Sequence, residues 1–414
     1  MKNLLVFTEN YARGGGNRYL IDTVNGVAGQ FDGVVIASNP NGLFNEDLQR
    51  LQGAFTKHEV SIISGSRIYH FVITYPRPIR LFCILAAKVL EPLFFLYNLL
   101  LLMVLIRRVN PSAVLSCNGG YPAARPALAM VIAARILRVP AALSIVSMPM
   151  ARKYKVLLYD QITDYLVWRC ANAVIVNADA ISKALRRLRG SPTENIYVVY
   201  NGLEDADRPD KEQTSISNQV VIGCIARMDH AKGVLYLLDA FIQLASHHPE
   251  ARLVLVGHGD ASEELSRRVH EQGMEDRVEL TGYYDGDIDT LLASFDIYVF
   301  PSLHEGFPYS ILEAMRAGCS IVATTVGGIP EAICDRQEGL LVEPGSVSAF
   351  RNAIEVLLSD KELSRRLGAN ARSKFVSDFS LAAMHVRLRE VFASAGLAPV
   401  YVKKEQAQAN NVSG

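Results

Sequence analysis

At 414 residues, half of them hydrophobic and a fifth charged, the chain is too long for one core and too apolar for general disorder, so two domains with full interiors are expected. Six cysteines, Cys83, Cys117, Cys170, Cys224, Cys319 and Cys334, stand far apart with no paired spacing; this excludes a disulfide scaffold and a cysteine metal or redox motif, and they read as core thiols of a reducing compartment. The formal net charge is zero, yet residues 1–200 carry 22 Lys and Arg against 11 Asp and Glu while 201–414 carry 20 against 31, a split of +11 and −11 that fits a solvated surface, an attraction between domains, or an N-terminal half that meets an anionic membrane or substrate.

The opening run MKNLLVFTEN is too short for the apolar region of a secretory signal and reads as a buried strand at Leu4–Phe7. It is followed by Gly14-Gly15-Gly16 before a helix expected to begin near Asn17, where the glycines are either a plain connector or bare amides for a ligand. Further continuous apolar runs follow at Val34–Ala37, Val114–Ser116, Ala141–Val146, Ala173–Val176 and Ile196–Tyr200, the pattern of strands buried on both faces. The segment Leu93–Ile106 is the most apolar in the chain, with Lys88 and Glu91 before it and Arg107-Arg108 after it. Its fourteen residues fall short of the ~20 that span a bilayer, which leaves a buried or partly buried helix of the first domain, contact with a membrane at the headgroup boundary, or both in part.

A polar stretch, Glu204–Gln219, reads as a linker or long surface loop. The strand pattern restarts at Val220–Ala226, Arg252–Val256, Val278–Thr281, Ile297–Phe300, Ile321–Thr324 and Leu340–Val342. Two successive β/α series imply two doubly wound parallel sheets facing each other across a cleft, with ligands beyond the carboxyl ends of the strands. The expected division is a first Rossmann-like domain 1–202, a second Rossmann-like domain 203–378, a helix within 379–400 that closes the second domain or crosses back to the first, and a frayed tail 401–414.

The densest chemical signal is residues 304–333, HEGFPYSILEAMRAGCSIVATTVGGIPEAI. Gly306 lets the backbone approach a ligand, and Pro308 suits the first turn of a helix whose free amides would form an anion site. Glu305 before that helix and Glu313 within it can reach different parts of one elongated ligand. Ser310 and Glu313 also fit a capping box, which Pro308 in the first turn argues against. Arg227 and Lys232, in IGCIARMDHAK, follow the strand at Val220–Ala226 and, taken alone, read as ordinary surface cations.

The block from Glu305 through Gly306-Phe307-Pro308 to Glu313-Ala314-Met315 resembles the donor-site signature of the family 4 retaining glycosyltransferases, of GT-B fold. Gly327-Gly328-Ile329-Pro330-Glu331 and Glu338-Gly339-Leu340-Leu341-Val342 are similar to that family's next two blocks, and the resemblance runs from about residue 200 to 345. It implies Arg227 and Lys232 on the donor diphosphate, Glu313 on the ribose and Glu305 on the sugar hydroxyls. Gly306, Phe307, Pro308, Gly15 and Gly16 would complete the donor site, and Asn201-Gly202 would be a structural turn. It further implies a UDP- or GDP-sugar donor and no cofactor; no Asp-x-Asp pair stands at a strand end where it would hold a metal, so metal-independent chemistry is expected, and the basic N-terminal half and the apolar segment favour a glycan or lipid-linked acceptor of the polysaccharide or lipopolysaccharide kind. A cytoplasmic enzyme, an anionic membrane surface as partner and no nucleic acid are the matching expectations. One departure stands out: after the strand at Ala141–Val146 the family commonly places a histidine, and this chain has Ser147, which can bond a sugar hydroxyl but carries no charge. A catalytically weakened GT-B partner subunit is one alternative, and a GT-B epimerase or phosphorylase another.

Overall fold

The computed structural model describes residues 2–11, 14–152, 157–206 and 219–398. Most of the expected linker, and the tail 401–414, lie outside the described residues. The chain divides into two compact units. One is built from residues up to Val176, Ile181–Val199 and the chain from Met384 onward; the other is built from Asn177–Ala180 and Tyr200–Ala383.

The strands of the first unit are β1 (Asn3–Thr8), β2 (Gly33–Ser38), β3 (Phe55–Glu59), β4 (Ala113–Gly120), β5 (Ala141–Ser147), β6 (Ala173–Val176) and β7 (Ile196–Val198). They form one parallel sheet in the order β3-β2-β1-β4-β5-β6-β7. The second unit has β8 (Val220–Ile225), β9 (Ala251–Val256), β10 (Val278–Gly282), β11 (Ile297–Phe300), β12 (Ser320–Thr324) and β13 (Leu340–Val342), also parallel, in the order β10-β9-β8-β11-β12-β13. Both sheets are doubly wound: the order reverses between β1 and β4 in one and between β8 and β11 in the other, and such switch points open a crevice at the carboxyl ends of the strands. The two expected α/β series are therefore present. Their central strands are apolar on both faces because helices cover both; Leu4, Leu5, Val6 and Phe7 are fully buried, as are Tyr298 and Val299.

Several boundaries differ from the sequence expectation. The first helix begins at Gly15, two residues earlier than Asn17, with Gly14 as its N-cap. The apolar segment 93–106 is the second half of one helix, Arg77–Val109, with Pro92 exposed inside it. A 33-residue helix is long and apolar enough to cross a membrane by length and composition, so the fourteen-residue limit does not describe it. It is partly buried, with Ala87, Asn98, Leu102 and Ile106 the buried residues along it. Of the cysteines, all free, Cys224 and Cys319 are buried and the other four are only half-buried, so the core-thiol expectation holds for two. The helix Leu381–Ser394 continues from the second unit into the first at Met384; there His385 Nε2 lies 2.9 Å from the Asp22 carbonyl, and Arg389 donates to Gly26 O at 3.2 Å.

Candidate active site

The chemistry-bearing residues of the second unit gather at its switch point. Beyond β8 the chain turns through Arg227, and Asp229 caps a short 3-10 turn, His230–Lys232, by accepting the Lys232 amide at 3.1 Å. Beyond β11 the loop Pro301–Pro308 leads to the helix Tyr309–Ala317. The two loops lock together. Leu303 donates its amide to the Ala231 carbonyl at 2.9 Å, and Gly233, at φ +67°, passes so close to Pro301 that a Cβ would stand 2.0 Å from its carbonyl oxygen. No side chain fits there, and that approach sets where Lys232 points.

The outcome is a direct ion pair: Lys232 Nζ lies 2.5 Å from Glu305 Oε1, with the side chains 21% and 12% exposed. Ser302 Oγ donates to the same carboxylate oxygen at 2.8 Å, and Ser302 is itself held by Thr324 Oγ1, which donates to its carbonyl at 2.7 Å. Arg227 is 77% exposed and pairs with Asp229 at 3.1 Å. A pair so exposed contributes at most about 1 kcal/mol, so the guanidinium can exchange this partner for a ligand at little cost.

The loop is also braced from behind. Gly327, at φ +55°, brings its backbone so close that a Cβ would lie 2.1 Å from the Glu305 carbonyl oxygen, and Gly328 donates its amide to Gly306 O at 2.7 Å. Asn201 Nδ2 donates to the Phe307 carbonyl at 2.6 Å, and Asn177 Nδ2 donates to Asn201 Oδ1 at 3.1 Å. Glu331 accepts the amides of Asp179 and Ala180 at 2.7 and 2.8 Å. Burial, with Glu331 and Asp179 adding their charges, pushes the nearby Tyr200 phenol well above its ordinary range. Gly327, Gly328, Asn201 and Glu331 thus support the loop.

Two expected contacts change character. Phe307 is buried, its ring 5.0 Å from Tyr200 and 5.5 Å from Phe379; its side chain anchors the loop, so any contact it makes with a ligand comes from its backbone. Pro308 stands one residue ahead of the helix as its N-cap, not in the first turn, and makes no side-chain cap. The first amides of the helix are left without a side-chain acceptor from the N-cap, which suits an anion. Ser310 is then the second helical residue, too late to cap. Its hydroxyl bonds Tyr298, a fully buried phenol that burial, above all, pushes far up. Glu313 is half-buried one turn into the helix.

Gly15, Gly16 and Ser147 belong to the first unit. Gly15 and Gly16 open the helix after β1, where a Cβ on Gly14 or Gly16 would meet nothing within 4 Å. Ser147 is the exposed last residue of β5, in register with Gly120 of β4. The positioning residues Ser302, Thr324, Asp229, Asn177 and Tyr200 are not marked by any sequence motif, apart from the cap spacing Asp229-His230-Ala231-Lys232. Ser302 and Thr324 are fully buried polar groups beside strand ends, a placement visible only once the strands are known.

Residues 205–374 match the family described as Glycosyl transferases group 1. The chain is 27% identical over 308 residues to the alpha-D-kanosaminyltransferase of Streptomyces kanamyceticus, covering 70% of this chain and 79% of that protein. It is 26% identical over 178 residues to the UDP-Gal:alpha-D-GlcNAc-diphosphoundecaprenol alpha-1,3-galactosyltransferase of Escherichia coli, covering 42% of this chain and 46% of that one. Several other curated relatives are matched over about half of their length. Among solved structures, Anabaena Alr3699/HepE in complex with UDP is similar with a TM-score of 0.73 at 21% identity, over 95% of this chain and all of that one. With two doubly wound parallel sheets and this likeness to solved structures, the chain has the GT-B fold, and its residues 205–374 match the glycosyl transferases group 1.

Proposed function

We propose that the chain transfers a sugar from a UDP- or GDP-sugar to a hydroxyl of a glycan or lipid-linked acceptor, with retention of configuration and without a metal ion. The observation that carries this reading is the Lys232–Glu305 pair at the switch point of the second sheet, with Arg227 in the loop that carries Lys232 and the helix Tyr309–Ala317 opening just after Glu305. An anionic diphosphate draws Lys232 away from Glu305, because two phosphate charges outweigh one carboxylate. Glu305, released, accepts hydrogen bonds from the sugar hydroxyls, and Glu313 takes the ribose. In the first unit the bare amides at Gly15 and Gly16 suit a phosphate, and the Ser147 hydroxyl suits a sugar.

In the transfer step the acceptor oxygen bonds the anomeric carbon on the face that the diphosphate leaves. The acceptor proton passes to the departing phosphate oxygen, and the anomeric C–O bond breaks with its electrons on the nucleotide. Negative charge grows on that phosphate, and Arg227, Lys232 and the helix amides stabilise it most at the transition state. No general base is required; positioning and charge do the work. The name of the Escherichia coli relative supports a UDP-sugar and a diphosphate-linked lipid acceptor. Six free cysteines support work in a reducing, cytoplasmic setting.

Calorimetry against UDP-, GDP- and ADP-sugars, followed by transfer assays with the donor that binds, tests the reading. Binding of one uridine or guanosine donor, an α-linked product from an α-donor and turnover unchanged by EDTA are expected. Recovery of an epimer or a sugar phosphate instead of a new glycoside would reject it.

A further inference from the structure

We propose that the helix Arg77–Val109 is a docking surface that lies flat on an anionic lipid bilayer. Phe82, Leu85, Val89, Leu93, Leu96 and Leu100 recur every three or four residues, and all six are exposed, Phe82 at 73% and Val89 at 72%. Residues so spaced share one face of a helix, so they form an unbroken apolar stripe roughly 27 Å long at 1.5 Å per residue. A stripe of that size on a water-facing surface marks an interaction. Its charges select the partner. Arg77 and Arg80 stand at one end, Arg107 and Arg108 at the other and Lys88 between, against the single carboxylate of Glu91. Apolar side chains bounded by cations match acyl chains below anionic headgroups.

The opposite face decides the orientation. Ala87, Asn98, Leu102 and Ile106 are buried within the unit, and the Asn98 side chain donates to the Ile63 carbonyl at 2.6 Å and accepts the Ile63 amide at 3.0 Å. Crossing the bilayer would strip these contacts and put the amide in lipid, so the helix meets the membrane along its side. A second copy of the chain is a poorer occupant: two such stripes paired about a twofold axis set the arginines at their ends against arginines. The inference stands on this helix and not on the transferase reading, because vesicle binding is measured without turnover.

The test floats the full chain with vesicles of phosphatidylcholine alone and of phosphatidylcholine with phosphatidylglycerol in equal parts. The protein should rise with the anionic vesicles and fall back as salt is added. Replacing Arg107 and Arg108 with glutamine should lower the partition constant roughly 30-fold at low salt, and Leu85→Ser, Leu93→Ser and Leu100→Ser together should abolish flotation. Leu96→Trp, which keeps the stripe apolar, provides a second readout: its emission should shift to the blue and be quenched by lipids brominated along the acyl chain, above the background of buried Trp168. The proposal is overturned if the L96W protein is insensitive to brominated lipid, if the serine variant floats as well as the parent, or if sedimentation shows a dimer that the serine variant dissolves.

Discussion

Asn201 donates its side-chain amide to the carbonyl of Phe307, a residue 106 positions away, across 2.6 Å. Both residues are buried, so the carbonyl has no water to fall back on. In Asn201→Ala it is left unpaired, at a cost of roughly 1–3 kcal/mol, and the loop bearing Glu305 loses its brace. The expected result is a lower denaturation midpoint together with a weaker donor KM, kcat falling less. Asn201→Asp should do at least as badly, since a carboxylate cannot donate. An unchanged midpoint in both variants would mean that the loop is held by other contacts.

Gly327 supports the same loop by absence of a side chain. Its φ of +55° and the 2.1 Å approach of a Cβ to the Glu305 carbonyl oxygen both oppose alanine. The left-handed conformation alone costs about 1–2 kcal/mol, and relieving the clash must displace the backbone of Glu305 or Gly306. Gly327→Ala should therefore reduce donor affinity in calorimetry by tenfold or more while the first unit unfolds as before. Parental affinity would show that the loop tolerates the shift.

How much of this was readable in advance follows from what each residue faces. Strands such as Ala173–Val176 and Ile297–Phe300 were legible because both faces are buried and every residue is apolar. The edge strand Phe55–Glu59 was not: its Thr56, Lys57, His58 and Glu59 are the polar residues that protect an edge, and they cannot be told from a loop. The long helix was legible only from Leu93 because Arg77, Arg80, Lys88, Glu91 and Pro92 dilute the apolar density of its first half. At the site, the spacing of Glu305 and Glu313 and the two cations were legible as a pattern. That Lys232 and Glu305 pair with each other, over 73 positions, is a property of the switch point between β8 and β11 and has no local signature.

Glu9, at the end of β1, offers a test of the first unit that is separate from turnover. It accepts the Ser64 hydroxyl; burial pushes its carboxyl above the ordinary 4.5, with a smaller push from Glu91 and an opposing pull from the Ser64 and Tyr11 hydroxyls. The unfolded chain therefore releases this proton at a lower pH than the folded one. Stability is greatest below the unfolded value, declines as pH rises from there to the folded value, and stays reduced above it. Glu9→Gln keeps the shape and the bond to Ser64 but removes the ionisation. Its Tm should exceed the parent's at neutral pH and match it below about pH 4; a lower Tm at neutral pH would mean that the carboxylate is stabilised in its charged form.

Lys232 and Glu305 together decide whether the diphosphate reading holds. Lys232→Ala removes the cation assigned to the leaving group, and losing one preorganised donor of that kind lowers kcat by about two to three orders of magnitude. It also leaves Glu305, only 12% exposed, without its counter-charge at the place proposed for the phosphate, so donor affinity should fall as well. Glu305→Gln in the same chain removes that stranded charge. In a double-mutant cycle the stability losses should therefore be less than additive, with a coupling of about 0.5–3 kcal/mol, whereas the rate should not recover, because the lysine is still missing. Lys232→Arg keeps the charge in a broader, planar group and should restore affinity better than rate. The two readouts separate the roles: a cycle that couples in stability while K232A turns over at the parental rate would leave the pair as a brace for the loop and take Lys232 out of the transfer step.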